Sequence, residues 1–548
     1  MTRVPLIVPA PAVLEVGRSE GFLFCGATRV VVESPGADAS DPGLEDVVRR
    51  FAADVEADTG IGLTVSHEAP GPAVQVSIRG TDLDAVPVAA GMRADGASIT
   101  GAADERYGLD VSDERILVWG ATPEAVHRGL TSLRQLVAAS AADGRALVGA
   151  VRVLDGPRFA WRGLSLDVVR TFHDVETVER VLDMCSLYKI NVLHLHLSDD
   201  QGWRLEVPSR PALTEVGSAG AVGDRPGGFY SLEEVAGLVA YAADRFVTLV
   251  PEIEMPGHAA AIFRSYPELG PRVAAADLPS HGAAVAAGTL DPTRPEVWRF
   301  VEDVLDAVLP QFPQSAYVHI GGDEAFGMDH DEHAAFVERA IALVRDRGRR
   351  VVGWQEIARA DLDADMIVQH WIDIRAADAE TLRGRVPDVF LDVLIGNLQS
   401  AVDDVPRALE RGARVIVSPS ARLYFDRPHG DASTDDLQNG VRARLGMPVY
   451  PPATIRSGVE WDPVADVEHV TSDDQVAGVE AALWCETVTG RDDLELLLLP
   501  RLPGAAEKAW SAAGSTDWDE YRERLACQSV VWTRRGWRWY RADTVDWA

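Results

Sequence analysis

From Arg158 onward the chain repeats one pattern: a short apolar run and then a segment at helical spacing. The runs are Trp161 to Val169, Asn191 to Leu197, Phe246 to Ile253, Tyr317 to Ile320, Val351 to Trp354, Met366 to Trp371, Ala413 to Val417 and Val479 to Trp484. Between them Glu176 to Tyr188, Leu232 to Ala243, a segment beginning near Pro295, and Glu332 to Arg347 read as helices. A helix between successive strands is the crossover that parallel strands need. About eight such units predict a closed (β/α)8 barrel. A doubly wound open sheet is the alternative. Against it, no glycine-rich phosphate loop follows the first strand.

The 548 residues exceed one ordinary domain, so a barrel with a smaller partner is expected. Residues 1–157 read as a separate α+β domain. Arg29 to Val32 and Val74 to Ile78 are β-branched runs, and Tyr107 to Val111 with Ile116 to Trp119 flank an Asp-Glu turn as a hairpin would. Thr122-Pro123 is an N-cap followed by a first-turn proline, and Val126, Leu130, Leu133 and Val137 recur at helical spacing. No catalytic constellation stands out there, and a scaffold role is expected. Residues 158–515 form the barrel, closed by a helical region from Leu494 to Trp510 that Pro500 and Pro503 should interrupt. Residues 516–548 form a tail with Trp532, Trp537, Trp539 and Trp547, expected to pack on the barrel or on a second subunit, as in a homodimer.

With 47% hydrophobic and 25% charged residues the chain reads as soluble and globular. Its net charge of −33 argues against nucleic-acid and anionic-membrane partners, which need basic patches. Lys189 and Lys508 are the only lysines. Met1 to Pro5 open no signal-peptide run and no stretch reaches membrane-spanning length, so a cytoplasmic location is expected. Cys25, Cys185, Cys485 and Cys527 lie far apart and read as free thiols.

A barrel enzyme gathers its polar residues at the carboxyl ends of its strands. Here the strand ends carry Asp167 and Arg170; His194, His196, Asp199 and Asp200; Glu252, Glu254 and His258; Asp323 and Glu324; Trp354 and Glu356; Trp371; Tyr424 and Asp426; and Trp484 and Glu486. Each residue alone has a plain structural reading, as an ion pair, a core tryptophan or a turn residue. Agreement at eight strand ends outweighs those readings. Carboxylates suit proton transfer, tryptophans suit the apolar faces of a sugar ring, and Arg170 offers a fork of donors for hydroxyls. Glycoside hydrolysis needs this set: an acid for the leaving oxygen and a group that stabilises an oxocarbenium-like centre.

The ordered motifs resemble the family 20 glycoside hydrolases, the β-N-acetylhexosaminidases. They are Trp161-Arg162-Gly163 to Arg170, Asn191 to Arg204, Pro251 to His258, His319 to Glu324, Gly353 to Glu356, and Ala482 to Glu486. The resemblance covers about residues 155 to 515 and implies substrate-assisted catalysis, in which the 2-acetamido oxygen attacks the anomeric carbon. It implies Glu324 as general acid and then base, and Asp323 as the group that orients the acetamide and balances its charge. A neighbouring anion is expected to push the pKa of Glu324 upward. Asp199 and His258 would set the protonation of Glu324. Arg170, Asp426 and Glu486 would hold ring hydroxyls, Tyr424 would bond the acetamido oxygen, and Trp354, Trp371 and Trp484 would wall the acetamide and ring.

The resemblance further implies a small oligosaccharide or glycoconjugate as substrate, with no metal and no cofactor. Glu254 replaces the more usual Asp of its motif, with little expected effect because His258 is the motif's functional residue. The stretch Arg375 to Gly412 looks longer than usual, and Arg427 to Val470 carries little motif. Two rivals remain. His194-x-His196 resembles a metal pair of amidohydrolases, although the dinuclear ones need a bridging lysine where this chain has none; the pair more readily packs inside the barrel. A non-catalytic sugar-binding protein would gain nothing from a protonated acid beside an acetamide clamp.

Overall fold

The computed structural model describes residues 6–33, 42–68, 71–270, 288–373, 383 and 388–548. In the amino-terminal part, a seven-stranded sheet runs in the order Val13–Val16, Val151–Asp155, Tyr107–Val111, Arg115–Gly120, Ala73–Ile78, Arg29–Glu33, Thr64–Ser66. The expected hairpin forms, with Tyr107–Val111 antiparallel to Arg115–Gly120. The helices Pro42–Thr59 and Pro123–Ser140 pack on one another and on the sheet. Thr122 caps the second helix: its side chain accepts from the Ala125 N–H, and Pro123 opens the first turn, where a missing N–H costs nothing.

Eight parallel strands then close a barrel in sequential order. They are Trp161–Asp167, Val192–His196, Thr248–Met255, Tyr317–Gly321, Arg350–Trp354, Ile367–His370, Arg414–Val417 and Val476–Leu483, each within a few residues of its sequence reading. Side chains alternate in and out, so the inward positions can be followed up the barrel axis. At the bottom lie Trp161, Val192, Val250, Tyr317, Val352, Ile367, Ile416 and Ala477, a fully apolar layer. The stretch around Met92 and Ala94 seals it from below; Met92 N–H donates to Ala477 C=O and Ala316 N–H to Ala94 C=O. One layer higher the inward residues turn polar: His194, Glu252, His319, Gln369 and Glu480 are all buried. The change from apolar plug to charged layer therefore runs toward the carboxyl ends.

The barrel and the amino-terminal sheet are joined through a buried ion pair. Lys189 follows the first barrel helix and is 0% exposed. Its ammonium lies 3.1 Å from Asp155 and donates to the Tyr107 hydroxyl at 2.9 Å. Asp155 also accepts from Tyr107 and from the Trp510 indole N–H. The carboxyl-terminal helix Trp518–Arg534 packs against both Pro42–Thr59 and Pro123–Ser140, and reaches the barrel through Trp532, whose N–H donates to Tyr188 at 2.7 Å. The closing helical region breaks at Pro500, as read from the sequence. It does not break at Pro503, which sits in the first turn of Arg501–Trp510, where its N–H has no helical partner to lose. No helix among the described residues is long and apolar enough to cross a membrane.

Removing Asp155 strands the buried Lys189 charge. Asp155→Ala should lower stability by about 3–5 kcal/mol, as loss of one partner of a buried pair does, read as a drop in the urea unfolding midpoint. A loss below about 1 kcal/mol, the level of an exposed pair, would contradict the junction's importance.

Candidate active site

The carboxyl end of the first barrel strand is shaped by Asp167. Its buried carboxylate accepts the N–H groups of Val169, Arg170 and Cys485, which turns the chain and aims Arg170 over the barrel. At the fourth strand end the turn is made by Gly321 and Gly322, with φ of 68° and 93°. A Cβ on Gly321 would overlap the Glu254 carboxylate, and one on Gly322 would overlap Ile357, so both positions need glycine. Glu324 itself has φ 46° and His258 has φ 49°, a region that non-glycine residues enter at a cost of about 1–3 kcal/mol and mostly at functional turns.

A chain of charge links these turns. The Arg170 guanidinium lies 2.6 Å from Asp199 and 4.0 Å from Glu486. Asp199 also accepts from His196 at 2.9 Å, and its other oxygen is 3.3 Å from His258 Nδ1. The opposite nitrogen of His258, Nε2, stands 3.6 Å from Asp323 and 3.7 Å from Glu324. Burial opposes the charge of Asp199, but Arg170 and His258 hold its carboxyl well below the usual range. Burial likewise opposes a charged His258, and Asp199 with Asp323 lifts its pKa well above that of a free imidazole. His258 is therefore a cation held between three carboxylates.

Glu324 is pushed up to about 7. Burial is the largest cause, His258 opposes it, and Asp323 adds to it. The sequence reading credited the neighbouring anion; desolvation at the barrel mouth matters more. Glu254 is buried against Gly321, with one oxygen unpartnered, and burial and Asp323 raise its carboxyl well above the ordinary value. Its longer side chain thus faces the Asp323 turn instead of standing apart from the chemistry.

The opposite side of the barrel mouth is aromatic and polar. Trp371 and Tyr424 lie parallel, with ring centroids 6.3 Å apart and planes at 7°. Trp484 is set edge-on to Tyr424 at 5.9 Å, tilted against Trp354 at 5.8 Å, and capped by Arg170 at 5.1 Å. Trp354 lies deepest, 1% exposed, and its indole N–H donates to Glu252. It forms the floor of this aromatic niche more than its wall. Both oxygens of Asp426, one of Glu486, one of Asp323 and the Arg170 Nε are buried without a hydrogen-bond partner among the described residues. Buried polar groups are nearly always paired, so five unpartnered atoms around one niche point to a polar ligand. Burial pushes the carboxyl of Asp426 well above its ordinary value and raises that of Glu486.

Beneath the niche Glu252 takes the role of a central counter-ion. His196 and His319 approach it at 2.6 and 2.9 Å, His194 at 3.1 Å, and Trp354 donates to it. His194 also reaches Glu480 at 2.9 Å. Burial opposes their charge, but the carboxylates raise His194 to about 10 and His196 to about 9, so both are imidazolium bridges at neutral pH. The histidines of the His-x-His pair thus pack inside the barrel, each between two carboxylates.

All eleven residues singled out in the sequence lie on this barrel face: Arg170, Asp199, His258, Asp323, Glu324, Trp354, Trp371, Tyr424, Asp426, Trp484 and Glu486. Tyr450 was missed. Its ring meets Tyr424 edge-on at 6.1 Å. It comes from the long stretch after the seventh strand, where no strand end marks it. Glu356 was named on the rim without a role; it accepts from the Trp371 indole N–H at 3.1 Å and is raised to about 8, by burial first and then by Asp323.

Comparison with known proteins agrees with this geometry. Residues 159–390 and 396–513 match the family described as glycosyl hydrolase family 20, catalytic domain, and residues 4–155 match its domain 2. A β-N-acetylhexosaminidase of Cellulomonas fimi is 35% identical over 543 residues, spanning 99% of this chain and 97% of its own. The family 20 β-N-acetylhexosaminidase of Streptomyces coelicolor A3(2) superposes with a TM-score of 0.82 at 32% identity, over 100% of this chain and 99% of that one. A mutant Streptomyces plicatus β-hexosaminidase in complex with its product, GlcNAc, gives 0.82 at 31% identity, over 100% and 98%. The chain belongs to glycosyl hydrolase family 20. It is a glycoside hydrolase built as a (β/α)8 barrel behind a smaller α+β domain.

The opposed influences on Glu324 can be separated. Asp323→Asn removes an anion and should lower the pKa of Glu324 from about 7. His258→Asn removes a cation and should raise it. Carboxyl-carbon NMR titration reads both, and shifts in the same direction would contradict the electrostatic arrangement.

Proposed function

We propose that the protein is an exo-acting, retaining β-N-acetylhexosaminidase that removes terminal β-linked GlcNAc from oligosaccharides or glycoconjugates. The observation that carries this reading is a carboxyl raised to about 7, Glu324, beside Asp323, whose free oxygen is buried without a partner at an aromatic niche. In this reading Glu324 protonates the leaving oxygen. The substrate's own acetamide oxygen attacks the anomeric carbon, with electrons leaving to the departing, protonated oxygen, and a cyclic oxazolinium forms. Asp323 accepts the acetamide N–H and balances the positive charge. Tyr424 donates to the acetamide oxygen, and burial, which holds its hydroxyl well above the ordinary pKa, keeps that proton available. Glu324, now ionised, takes a proton from the water that opens the ring.

Arg170, Asp426 and Glu486 hold ring hydroxyls in this assignment, Asp199 with His258 sets the protonation of Glu324, and Trp354, Trp371 and Trp484 wall the acetamide and ring. The unpartnered oxygens of Asp426 and Glu486 support the hydroxyl-binding role, since a hydroxyl can donate to each. The same reading divides the chain into an amino-terminal domain, 1–157, the catalytic barrel, 158–515, and a tail, 516–548.

The test is hydrolysis of an aryl N-acetyl-β-D-glucosaminide, the matching galactosaminide and the matching plain glucoside by the purified protein, beside Glu324→Gln. Turnover of the acetamido sugars is expected, and on an added N-acetylglucosamine disaccharide, whose leaving group needs the proton, kcat/KM should be lower by about 10²–10⁴ in the variant, the range for loss of a general acid. Comparable turnover of the plain glucoside would contradict participation of the acetamide. The pH profile follows from the raised carboxyl: the acid form of Glu324 is present below about 7 and lost above it. kcat/KM should therefore fall about sixteenfold from pH 7 to pH 8.5. A rate that holds flat to pH 9 would exclude Glu324 as the acid.

A further inference from the structure

Trp371, one wall of the aromatic niche, is gripped by two successive residues. The fifth barrel strand ends at Trp354 and runs straight into a short helical turn, Gln355–Arg359. Gln355, 1% exposed, holds the backbone: its Oε1 accepts from the N–H of Trp371 at 3.1 Å and from that of Ile372 at 2.9 Å. Glu356, also 1% exposed, holds the ring: its Oε2 accepts from the indole N–H at 3.1 Å. The ring further packs on a small apolar cluster of Ile372, Leu391, Leu398 and Ala401, the last three from the helix Asp388–Ala401.

Glu356 is itself fixed. Asn397 donates to its other oxygen at 3.4 Å. The Asn397 carbonyl accepts from Arg359 at 3.2 Å, and Arg359 is paired at 3.0 Å with the fully buried Asp404. Both carboxyl oxygens are thus engaged, and the group is not free to turn away from the indole. Burial first, then Asp323 and Asp404, raise Glu356 to about 8 against the pull of Arg359, so most of it keeps its proton at pH 7. A neutral carboxyl accepts the indole N–H without setting a second full charge beside Asp323.

An indole held by backbone and ring together keeps one attitude toward Tyr424, whose ring lies parallel to it at 6.3 Å. A well-fitted pocket distinguishes groups that differ by one methylene by about 10- to 200-fold, and a loose one does not. When the group in the pocket is also the nucleophile, its alignment governs the rate as well as the binding. We propose that Glu356 is a positioning residue for the acetamide: by holding the Trp371 indole parallel to Tyr424 it fixes this wall, and so sets the preference for an N-acetyl over a longer N-acyl group. The proposal rests on the hexosaminidase reading above. Glu356 acts through Trp371 and not by touching the sugar.

The test compares 4-nitrophenyl β-D-glucosaminides carrying N-acetyl and N-propionyl groups, for the intact chain, Glu356→Leu, Trp371→Phe, both together, and Glu356→Gln. The intact chain should prefer N-acetyl by about tenfold or more, as one misfitting methylene requires. Glu356→Leu removes the acceptor, and Trp371→Phe removes the donor of the same bond. Each should lower the N-acetyl to N-propionyl ratio of kcat/KM by about three- to tenfold, the worth of one hydrogen bond, with the loss on the N-acetyl substrate chiefly in kcat. Glu356→Gln keeps an oxygen for the indole and should restore most of the ratio. The double variant should lose no more of the ratio than either single variant, because both act on one contact. Additive losses, or a ratio that neither single variant moves, overturn the proposal and leave Glu356 as a buried polar group that only completes its surroundings. If Glu356→Leu does not fold, an unchanged ratio in Trp371→Phe overturns it alone, as does an intact chain that cleaves both substrates equally. Failure of the intact chain on the N-acetyl substrate overturns the hexosaminidase reading, and this proposal with it.

Discussion

The contact on which the site depends is the one between Asp199 and Arg170, 2.6 Å apart inside the barrel mouth. A carboxylate this deeply buried stays ionised only if its lost hydration is replaced. Arg170 and two histidines replace it. With that charge fixed, His258 becomes a cation, and a cation at His258 keeps Glu324 from rising still further. The Glu324 carboxyl is thus balanced between desolvation, which raises its pKa, and a fixed positive charge, which lowers it. Loss of Asp199 would disturb Arg170 and His258 together, so effects at these three positions should not add.

The barrel supplies this arrangement through its layers. Eight inward side chains at the bottom form a dry plug, closed from below by the stretch around Met92 and Ala94. The next layer is ionic, with Glu252 and Glu480 holding protonated His194 and His196. Above it stand Arg170, Asp199 and His258, and above those Glu324. The buried Lys189–Asp155 pair then fixes the amino-terminal sheet to the foot of the first barrel helix, so the scaffold and the catalytic barrel share one junction.

Much of this could be read from residue order. Parallel strands buried on both faces read as continuous apolar runs, which is why all eight lay within a few residues of their expected ends. Because a barrel collects chemistry at its strand ends, Arg170, Asp199, His258 and Asp323-Glu324 stood out once the runs were placed. What sequence could not give follows from the same physics. Tyr450 reaches the niche from a long connection, where no periodicity fixes where a side chain points. The approach of the Glu254 carboxylate to Gly321 crosses between strands, so residue order does not mark it. Pro503 read as a break because its place in the first turn depends on where the preceding helix ends. The larger share of burial in raising Glu324 is likewise a property of the closed mouth, which a linear motif does not carry.

The central claim is that the substrate's acetamide displaces the leaving group and water then displaces the acetamide, both at the anomeric carbon. Two inversions give net retention. Proton NMR of the first sugar released from an aryl N-acetyl-β-D-glucosaminide, recorded before mutarotation, tests it directly. The β-anomer appearing first is the predicted result. The α-anomer appearing first would mean direct attack by water and would contradict the account.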